Sequence, residues 1–206
     1  MDNLVHKFVL LWAVIDPIGT IPVFIAVSAA LKTTAEKNKV AIKAIVIAAL
    51  VLVFFVVLGE ILLDAMDIPL PAFQVAGGVV LFLFALTMIF GDSKPEQELG
   101  LVDKAHNAAV FPLAIPSIAS PGAMMAAVLL TDNHRFSLVE QTITTGIILV
   151  ILLITLVLML AANKIVKLIG ETGASVISRV MGLILSAVAM NAVLSGLFTY
   201  YNSMSG

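Results

Sequence analysis

The sequence predicts an all-α polytopic membrane protein: six transmembrane helices in two inverted three-helix repeats, with helices 1 and 4 broken near the midplane. Three observations lead to this fold class: the composition, the length of the apolar blocks and an internal offset of 104 residues. Of the 206 residues, 61% are hydrophobic and 12% are charged, and the mean hydropathy is +1.15. Soluble domains are about half apolar and about a quarter charged, so a chain of this length cannot hide its apolar surface from water.

The apolar residues fall into blocks of about 20, the length that crosses ~30 Å of hydrocarbon as a helix. These blocks lie near residues 4–30, 39–63, 70–90, 109–131, 137–163 and 173–200. They lack the alternation of membrane-barrel strands, so each is predicted to be a helix. The first block has neither a cationic start nor a small-residue cleavage site, so we expect a retained span rather than a signal peptide.

The lysine and arginine residues predict the orientation of the spans. Nine of the eleven cations fall on one side of the predicted membrane: Lys32, Lys37, Lys39, Lys43, Lys94, Lys104, Lys164, Lys167 and Arg179. Only Lys7 and Arg135 fall on the other side. The positive-inside rule places the lysine-rich side in the cytoplasm and both termini outside it.

A shift of 104 residues aligns the chain with itself. Asp16-Pro17 falls on Ser120-Pro121 and Gly78 falls on Gly182, and the three span pairs align without a gap. Each half has three spans, an odd number, so the second half is predicted to be inverted, a plan common among secondary transporters. The predicted organisation is a first repeat at 1–90, a cytoplasmic linker at 91–108 and a second repeat at 109–206. The alternative is a six-helix protein without internal symmetry.

The two X-Pro pairs predict that spans one and four each restart as a half-helix. Proline suits the first helical position, and the Asp16 and Ser120 that precede the prolines are good N-cap residues. Gly19 and Gly122 allow close backbone approach. Because the second half is inverted, both half-helices would begin near the midplane and point their free N–H groups at a shared cavity. Such helix ends favour an anion, for instance a substrate carboxylate.

Asp16 is the charged member of this predicted site. A carboxyl group at bilayer depth costs about 2.5–3.5 kcal/mol on insertion scales, so it should face the protein interior or water. Two interpretations stay open: Asp16 only caps its half-helix, or it also meets a substrate ammonium group or a proton.

Other polar residues in the apolar blocks are candidates to line the cavity. Among them are Asn191 and Thr87, which the 104-residue shift aligns with each other. The alternative for the Ser and Thr residues is a bond to a carbonyl one turn back. Gly78 and Gly182 are predicted to serve close helix packing rather than a ligand. The candidate substrate-binding residues are Asp16, Pro17, Gly19, Thr20, Thr87, Ser117, Ser120, Pro121, Gly122 and Asn191.

The sequence also indicates what is not expected. It contains no cysteine, its three histidines share no ligand spacing, and it has no protease, hydrolase or nucleotide-binding motif. We therefore expect no metal, no cofactor and no enzymatic activity. The sequence also has no basic stripe of the kind that would predict nucleic-acid binding.

Four segments resemble the MarC family of six-span inner-membrane proteins: IDPIGTIPVFIAVS (15–28), AFQVAGGVVLFLFALTMIFGD (72–92), FPLAIPSIASPGAMMAAVLL (111–130) and SRVMGLILSAVAMN (178–191). The resemblance implies an inner-membrane location. It also implies transport of small neutral amino acids, which is described for some relatives, and a relation to amino-acid exporters of the LysE type. The family usually has glycine where this chain has Ser120, a departure that could re-tune the pocket.

The hypothesis that combines these observations is a secondary transporter of small solutes. Its partners would be the lipid bilayer and a small neutral amino acid or similar zwitterion, and the small-residue faces also allow a homo-oligomer. The substrate carboxylate would meet the half-helix ends, and Asp16 would hold the ammonium group or couple to protons. The alternative is a channel-like protein or a non-transporting scaffold. The nearly uniform apolar stretches 44–58 and 147–162 argue against a wide pore.

Overall fold

The computed structural model describes residues 2–29, 31–90 and 109–205, and every regular element in this part of the chain is helical. The predicted linker 91–108 lies outside the described residues. The elements are α1 (Asp2–Ile15), α2 (Thr20–Ser28), α3 (Thr34–Ala65), α4 (Leu70–Phe90), an irregular helical segment (Ala109–Ile118), α5 (Pro121–Leu129), α6 (Leu138–Leu160) and α7 (Ala162–Ser205).

Four helices are long and apolar enough to cross a membrane: Thr34–Ala65, Leu70–Phe90, Leu138–Leu160 and Arg179–Ser203. The segment Ala109–Ile118 and α5 together make a fifth candidate span, bent by 54° at its break. The protein is thus an all-helical polytopic membrane protein, with four or five candidate spans among the described residues. The first predicted span, residues 4–30, consists of two short helices, α1 and α2, so the count of six spans stays a prediction.

Two of the long helices begin with the same capping device. The Thr33 side chain accepts the Glu36 N–H at the start of α3, and the Glu36 carboxylate accepts the Thr33 N–H in return. Ser137 and Glu140 form the same reciprocal pair at the start of α6. Each box satisfies two N–H groups that a helix end leaves without partners. The two boxes are 104 residues apart, which equals the offset at which the sequence is predicted to repeat.

Helices α4 and α7 pack closely because glycines remove the side chain at their contact. A Cβ atom added at Gly78 would lie 3.0 Å from the Ala189 carbonyl oxygen, and one at Gly182 would lie 3.1 Å from that of Ala85. Residue numbers rise along α4 as they fall along α7, so the helices are antiparallel. The prediction that Gly78 and Gly182 serve helix packing is confirmed.

The short elements that flank the breaks occupy the interior of the protein. Ile15, Val23 and Ile118 are fully buried, whereas the long helices expose large apolar side chains such as Leu50 and Leu153. A membrane protein is expected to present such side chains to lipid, since hydrocarbon does not penalise them. The fold thus places the two breaks inside a shell of apolar helices.

One predicted loop is helical in the structure. The apolar blocks predict a turn at residues 164–172, between predicted spans five and six, but α6 ends at Leu160 and α7 already begins at Ala162. Only Ala161 separates α6 from α7, and the residues of the predicted turn continue α7. They contain no proline, and an isolated glycine such as Gly170 is tolerated inside a helix at a cost of about 1 kcal/mol.

Candidate functional site at the junction of the two breaks

Asp16 ends α1 and caps the turn that leads into α2. Its φ of 52° lies in the left-handed region, which stops a helix and which Asp tolerates better than most residues. Its Oδ1 atom accepts the Gly19 N–H at 3.0 Å, and its carbonyl oxygen accepts the Thr20 hydroxyl, also at 3.0 Å. The half-helix was predicted to start at Pro17 with Asp16 as its N-cap, but α2 starts at Thr20 with Gly19 as its N-cap and no side-chain cap bond. Asp16 therefore caps the turn before α2 rather than the helix itself, and a contact with a ligand stays a prediction.

Gly19 fits this turn because it has no side chain. A Cβ atom added there would overlap the Asp16 carboxylate. The carboxylate could then no longer reach the Gly19 N–H in its present position.

Ser120 forms the corresponding cap at the second break. Its backbone is extended, its side-chain oxygen accepts the Ala123 N–H at 3.1 Å, and Pro121 follows in the first turn of α5. The same hydroxyl donates to the Val14 carbonyl oxygen at 2.8 Å. Val14 lies in the last turn of α1, where carbonyl groups lack helical partners. One hydroxyl thus satisfies a group at each break and joins the two breaks directly.

Thr20 and Ser117 meet beside this junction. The Ser117 hydroxyl lies 3.5 Å from the Thr20 oxygen, at the outer limit of a hydrogen bond. Ser117 comes from the irregular segment, which is interrupted by extended residues at Phe111 and Ile115. Each of these residues precedes a proline, and a residue before proline is displaced toward the extended region.

We call Asp16, Gly19, Thr20, Ser117 and Ser120 the break cluster. Its four polar side chains are at most 2% exposed. The cluster is therefore closed to solvent in this conformation, and a solute could enter only after a rearrangement.

The other predicted site residues lie in different settings. Pro17 and Gly122 are buried close to the breaks in the sequence, and an added Cβ at Gly122 would overlap Leu81 of α4. Pro121 is exposed, as is Asn191 on α7. The side chain of Thr87 lies outside the described residues.

Asn191 lines a cavity of about 480 Å³ between α1, α4, α5 and α7. The cavity reaches from His6 and Arg135 to Val14, the residue whose carbonyl accepts the Ser120 hydroxyl. Gln74 of α4 is a further polar residue in its wall. The cavity therefore ends next to the break cluster.

Residues 1–201 match the family model described as "MarC family integral membrane protein". The chain belongs to the MarC family. It is 33% identical to the UPF0056 membrane protein YvbG of Bacillus subtilis, covering 94% of this chain and 93% of that protein. It is 31% identical to the UPF0056 membrane protein YhcE of Escherichia coli, and that match covers 92% of this chain and 89% of YhcE.

A UPF0056 membrane protein of Buchnera aphidicola is 28% identical to this MarC protein and covers 98% of the chain and 99% of its own length. The names of these relatives describe membrane proteins and state no activity. No solved structure matches the chain.

This MarC protein also buries a lysine that the sequence analysis had only assigned to a side of the membrane. The side chain of Lys7 is 3% exposed; its Nζ atom donates to the Thr144 hydroxyl at 2.9 Å and lies 4.2 Å from the centre of the Phe136 ring. A ring face attracts a cation, so Lys7 ties α1 to α6 and to the loop before it. Nothing local in the sequence indicates these contacts.

A group of charged residues ties the end of α3 to the loop between α5 and α6 in the MarC protein. The His134 Nδ1 atom lies 3.0 Å from the Glu60 Oε1 atom and 3.4 Å from the Asp132 Oδ1 atom. These three residues offer potential metal-ligand atoms within 4.8 Å of one another. Backbone N–H groups and Arg135 already engage the two carboxylates. Sequence spacing could not reveal this group because Glu60 is distant along the chain.

Proposed function

We propose that this MarC protein is an inner-membrane secondary transporter of small solutes, specifically small neutral amino acids, that works by alternating access around the break cluster. The observation that carries the proposal is the bond from the Ser120 hydroxyl to the Val14 carbonyl, which joins both helix breaks at one buried polar point. Irregular backbone at membrane depth is tolerated where protein or a water-filled cavity surrounds it. Transporters use such broken helices to bind solutes near the midplane.

The proposed architecture is two three-helix repeats related by an axis in the membrane plane. Three features support it. The capping boxes of α3 and α6 are separated by the 104-residue offset. The contacts of Gly78 with Ala189 and of Gly182 with Ala85 exchange under the same offset, as expected for a two-fold contact. The helices that make this contact are antiparallel, which inversion of one repeat requires.

The proposed substrate is a zwitterion because the cluster combines N–H donors with a carboxylate. In the closed conformation the Asp16 Oδ1 atom accepts the Gly19 N–H, and the Ser120 oxygen accepts the Ala123 N–H. A substrate carboxylate could replace either acceptor, since the N–H groups at helix starts favour anions. Its ammonium group would then pair with Asp16. Opening toward one side would separate Ser120 from Val14.

A second candidate is a membrane scaffold that transports nothing. The observation in its favour is that the polar side chains of the break cluster are at most 2% exposed and that Asp16 and Ser120 already have partners within the protein. In this interpretation the breaks serve packing alone.

The first prediction concerns Asp16 and separates the two candidates. In proteoliposomes, wild-type protein should take up labelled glycine or alanine and exchange it in counterflow. Asp16→Asn should keep the fold, because Asn retains an oxygen for the Gly19 N–H and tolerates the left-handed region. It should lose the charge, and with it transport or the pH dependence of transport.

Asp67→Asn is the matched control, since Asp67 has the same φ of 52° but is exposed beyond the end of α3. It should transport as wild type does. Unchanged transport and pH dependence in Asp16→Asn would disprove the role of Asp16. No flux of any amino acid through the wild-type protein would favour the scaffold.

The proposed orientation places both termini outside the cytoplasm. It rests on the lysines around the start of α3, of which Lys32 and Lys39 are exposed, and on the positive-inside rule.

A further inference from the structure

The cavity between α1, α4, α5 and α7 extends along much of α1. His6, Val9, Leu10 and Val14 all line it, a spacing that places them on one face of the helix. From His6 to Val14 a helix rises about 12 Å. The cavity is therefore an elongated space, and its volume of about 480 Å³ falls within the range of roughly 300–1,000 Å³ found for ligand pockets.

The two ends of the cavity differ in charge. His6 and Arg135 lie at the same end, because their neighbours Lys7 and Phe136 are in contact. The Arg135 Nε atom is 3.4 Å from Asp132, and the side chain is half exposed. A guanidinium group has five N–H donors, so Arg135 has donors left for a second anion. The buried charge of Lys7 lies close by. We call this end the cationic mouth.

The other end and the walls of the cavity are apolar. Leu81 and Met125 line it near the break, and Leu129 and Val188 line its sides. Gln74 and Asn191 are polar but carry no charge. The side chain of glycine or alanine would leave most of such a volume unfilled, and an unfilled apolar space forfeits contact energy. The shape and chemistry therefore fit a longer apolar group better than the proposed transport substrate.

We infer that this cavity binds an amphiphile with a single alkyl chain in the apolar part and one anionic head group at the cationic mouth. The chain lies along α1 toward Val14, and the head group accepts hydrogen bonds from Arg135. Such a ligand has two sources, a free monocarboxylate or an anionic membrane phospholipid that inserts one chain. The site is distinct from the break cluster and does not rest on the proposed transport activity.

The test measures binding of labelled hexanoate, octanoate and decanoate to the full chain in phosphatidylcholine nanodiscs, with empty nanodiscs as background. Binding above background should be saturable. Each added CH₂ group should tighten it about three- to fourfold until the chain outgrows the cavity, because ~0.8 kcal/mol is gained per buried CH₂. Binding equal to that of empty nanodiscs would overturn the inference.

A cavity-filling variant separates the site from partition into the bilayer. Ala187 lines the cavity on α7, so Ala187→Phe should weaken decanoate binding at least tenfold. Ala76→Phe is the matched control, since Ala76 is an exposed alanine of α4 outside the cavity wall. It should bind as wild type does. Equal binding by both variants would overturn the inference.

The head-group contact has its own pair of variants. Arg135→Gln should weaken octanoate binding about three- to tenfold and leave octanol binding unchanged, because only the carboxylate gains a charge-assisted bond. Arg179 is the chain's other arginine, and Arg179→Gln should leave the binding of both octanoate and octanol unchanged. No effect of Arg135→Gln on octanoate would disprove the anionic head group at this mouth.

The source of the ligand is read from nanodiscs that contain phosphatidylglycerol. If the anionic phospholipid displaces octanoate, the bilayer supplies the occupant; if octanoate binding persists, the occupant is a free carboxylate. Both results retain the site and its chemistry. These measurements involve no transport. Binding of the amphiphile can therefore be found even if the protein shows no amino-acid flux, and amino-acid flux can be found even if the amphiphile does not bind.

Discussion

The hydroxyl of Ser120 takes part in two hydrogen bonds that belong to different parts of the chain. As an acceptor it caps α5, and as a donor it satisfies the Val14 carbonyl at the end of α1. The capping function was predictable from the Ser-Pro pair, since it depends on neighbours in the sequence. The bond to Val14 was not predictable from that pair, because it spans 106 residues and depends on how the two breaks pack.

The second prediction tests this residue. Ser120→Ala removes the cap and leaves a buried carbonyl without a partner, so the free energy of unfolding in detergent should fall by about 2–3 kcal/mol. Ser186→Ala is the matched control, because the Ser186 hydroxyl only bonds the Leu183 carbonyl of its own helix. That change should stay within about 0.5 kcal/mol. Equal stability of the two variants would contradict the bridging role of Ser120.

At the scale of elements, the break positions, the capping residues and the packing glycines followed from local chemistry. The capping boxes at Thr33 and Ser137 also follow a local pattern, Ser or Thr with Glu three residues later. The helix across residues 164–172 was not predicted, because these residues, which include Lys164 and Lys167, separate two apolar blocks. Propensity is a weak guide there, since a long helix tolerates single glycines.

The third prediction concerns the contact between α4 and α7. Gly78→Ala would place a Cβ atom 3.0 Å from the Ala189 carbonyl oxygen, and backbone cannot move aside as a flexible side chain can. The free energy of unfolding should therefore fall by about 1–3 kcal/mol.

Gly146→Ala is the control for this contact. Nothing lies within 4 Å of the added atom at Gly146 in α6. Alanine in a helix should then be neutral or stabilising by roughly 0.5–1 kcal/mol. A Gly78→Ala protein as stable as the control would show that the helices are not in close contact there.

At the scale of the whole molecule, composition was sufficient to predict a membrane protein, and the family resemblance is confirmed. The contacts that shape the interior were beyond sequence reasoning. Lys7 and Thr144 are 137 residues apart, and Glu60 and Asn133 are 73 apart. No local pattern specifies such pairs, because they arise only once the helices have packed. The cavity has the same origin, since four separate helices supply its walls.

The fourth prediction is the orientation of the whole chain. The chain has no cysteine, so a single introduced cysteine gives an unambiguous signal. A membrane-impermeant maleimide added to intact spheroplasts should label Asp64→Cys and leave Lys39→Cys unlabelled until the membrane is opened, since the positive-inside rule places Lys39 in the cytoplasm. Both positions are exposed. The reverse pattern would place the termini inside the cytoplasm.

The exchange of Gly78–Ala189 with Gly182–Ala85 has a consequence for the origin of the fold. Two separate copies of an ancestral half-length chain would make this same contact, provided that they entered the membrane in opposite directions. Such a chain would need nearly balanced charges at its two ends in order to insert both ways. On the proposed two-repeat architecture, duplication and fusion would free each half to fix its own direction, and would let residues such as Asp16 and Ser120 diverge from one ancestral position.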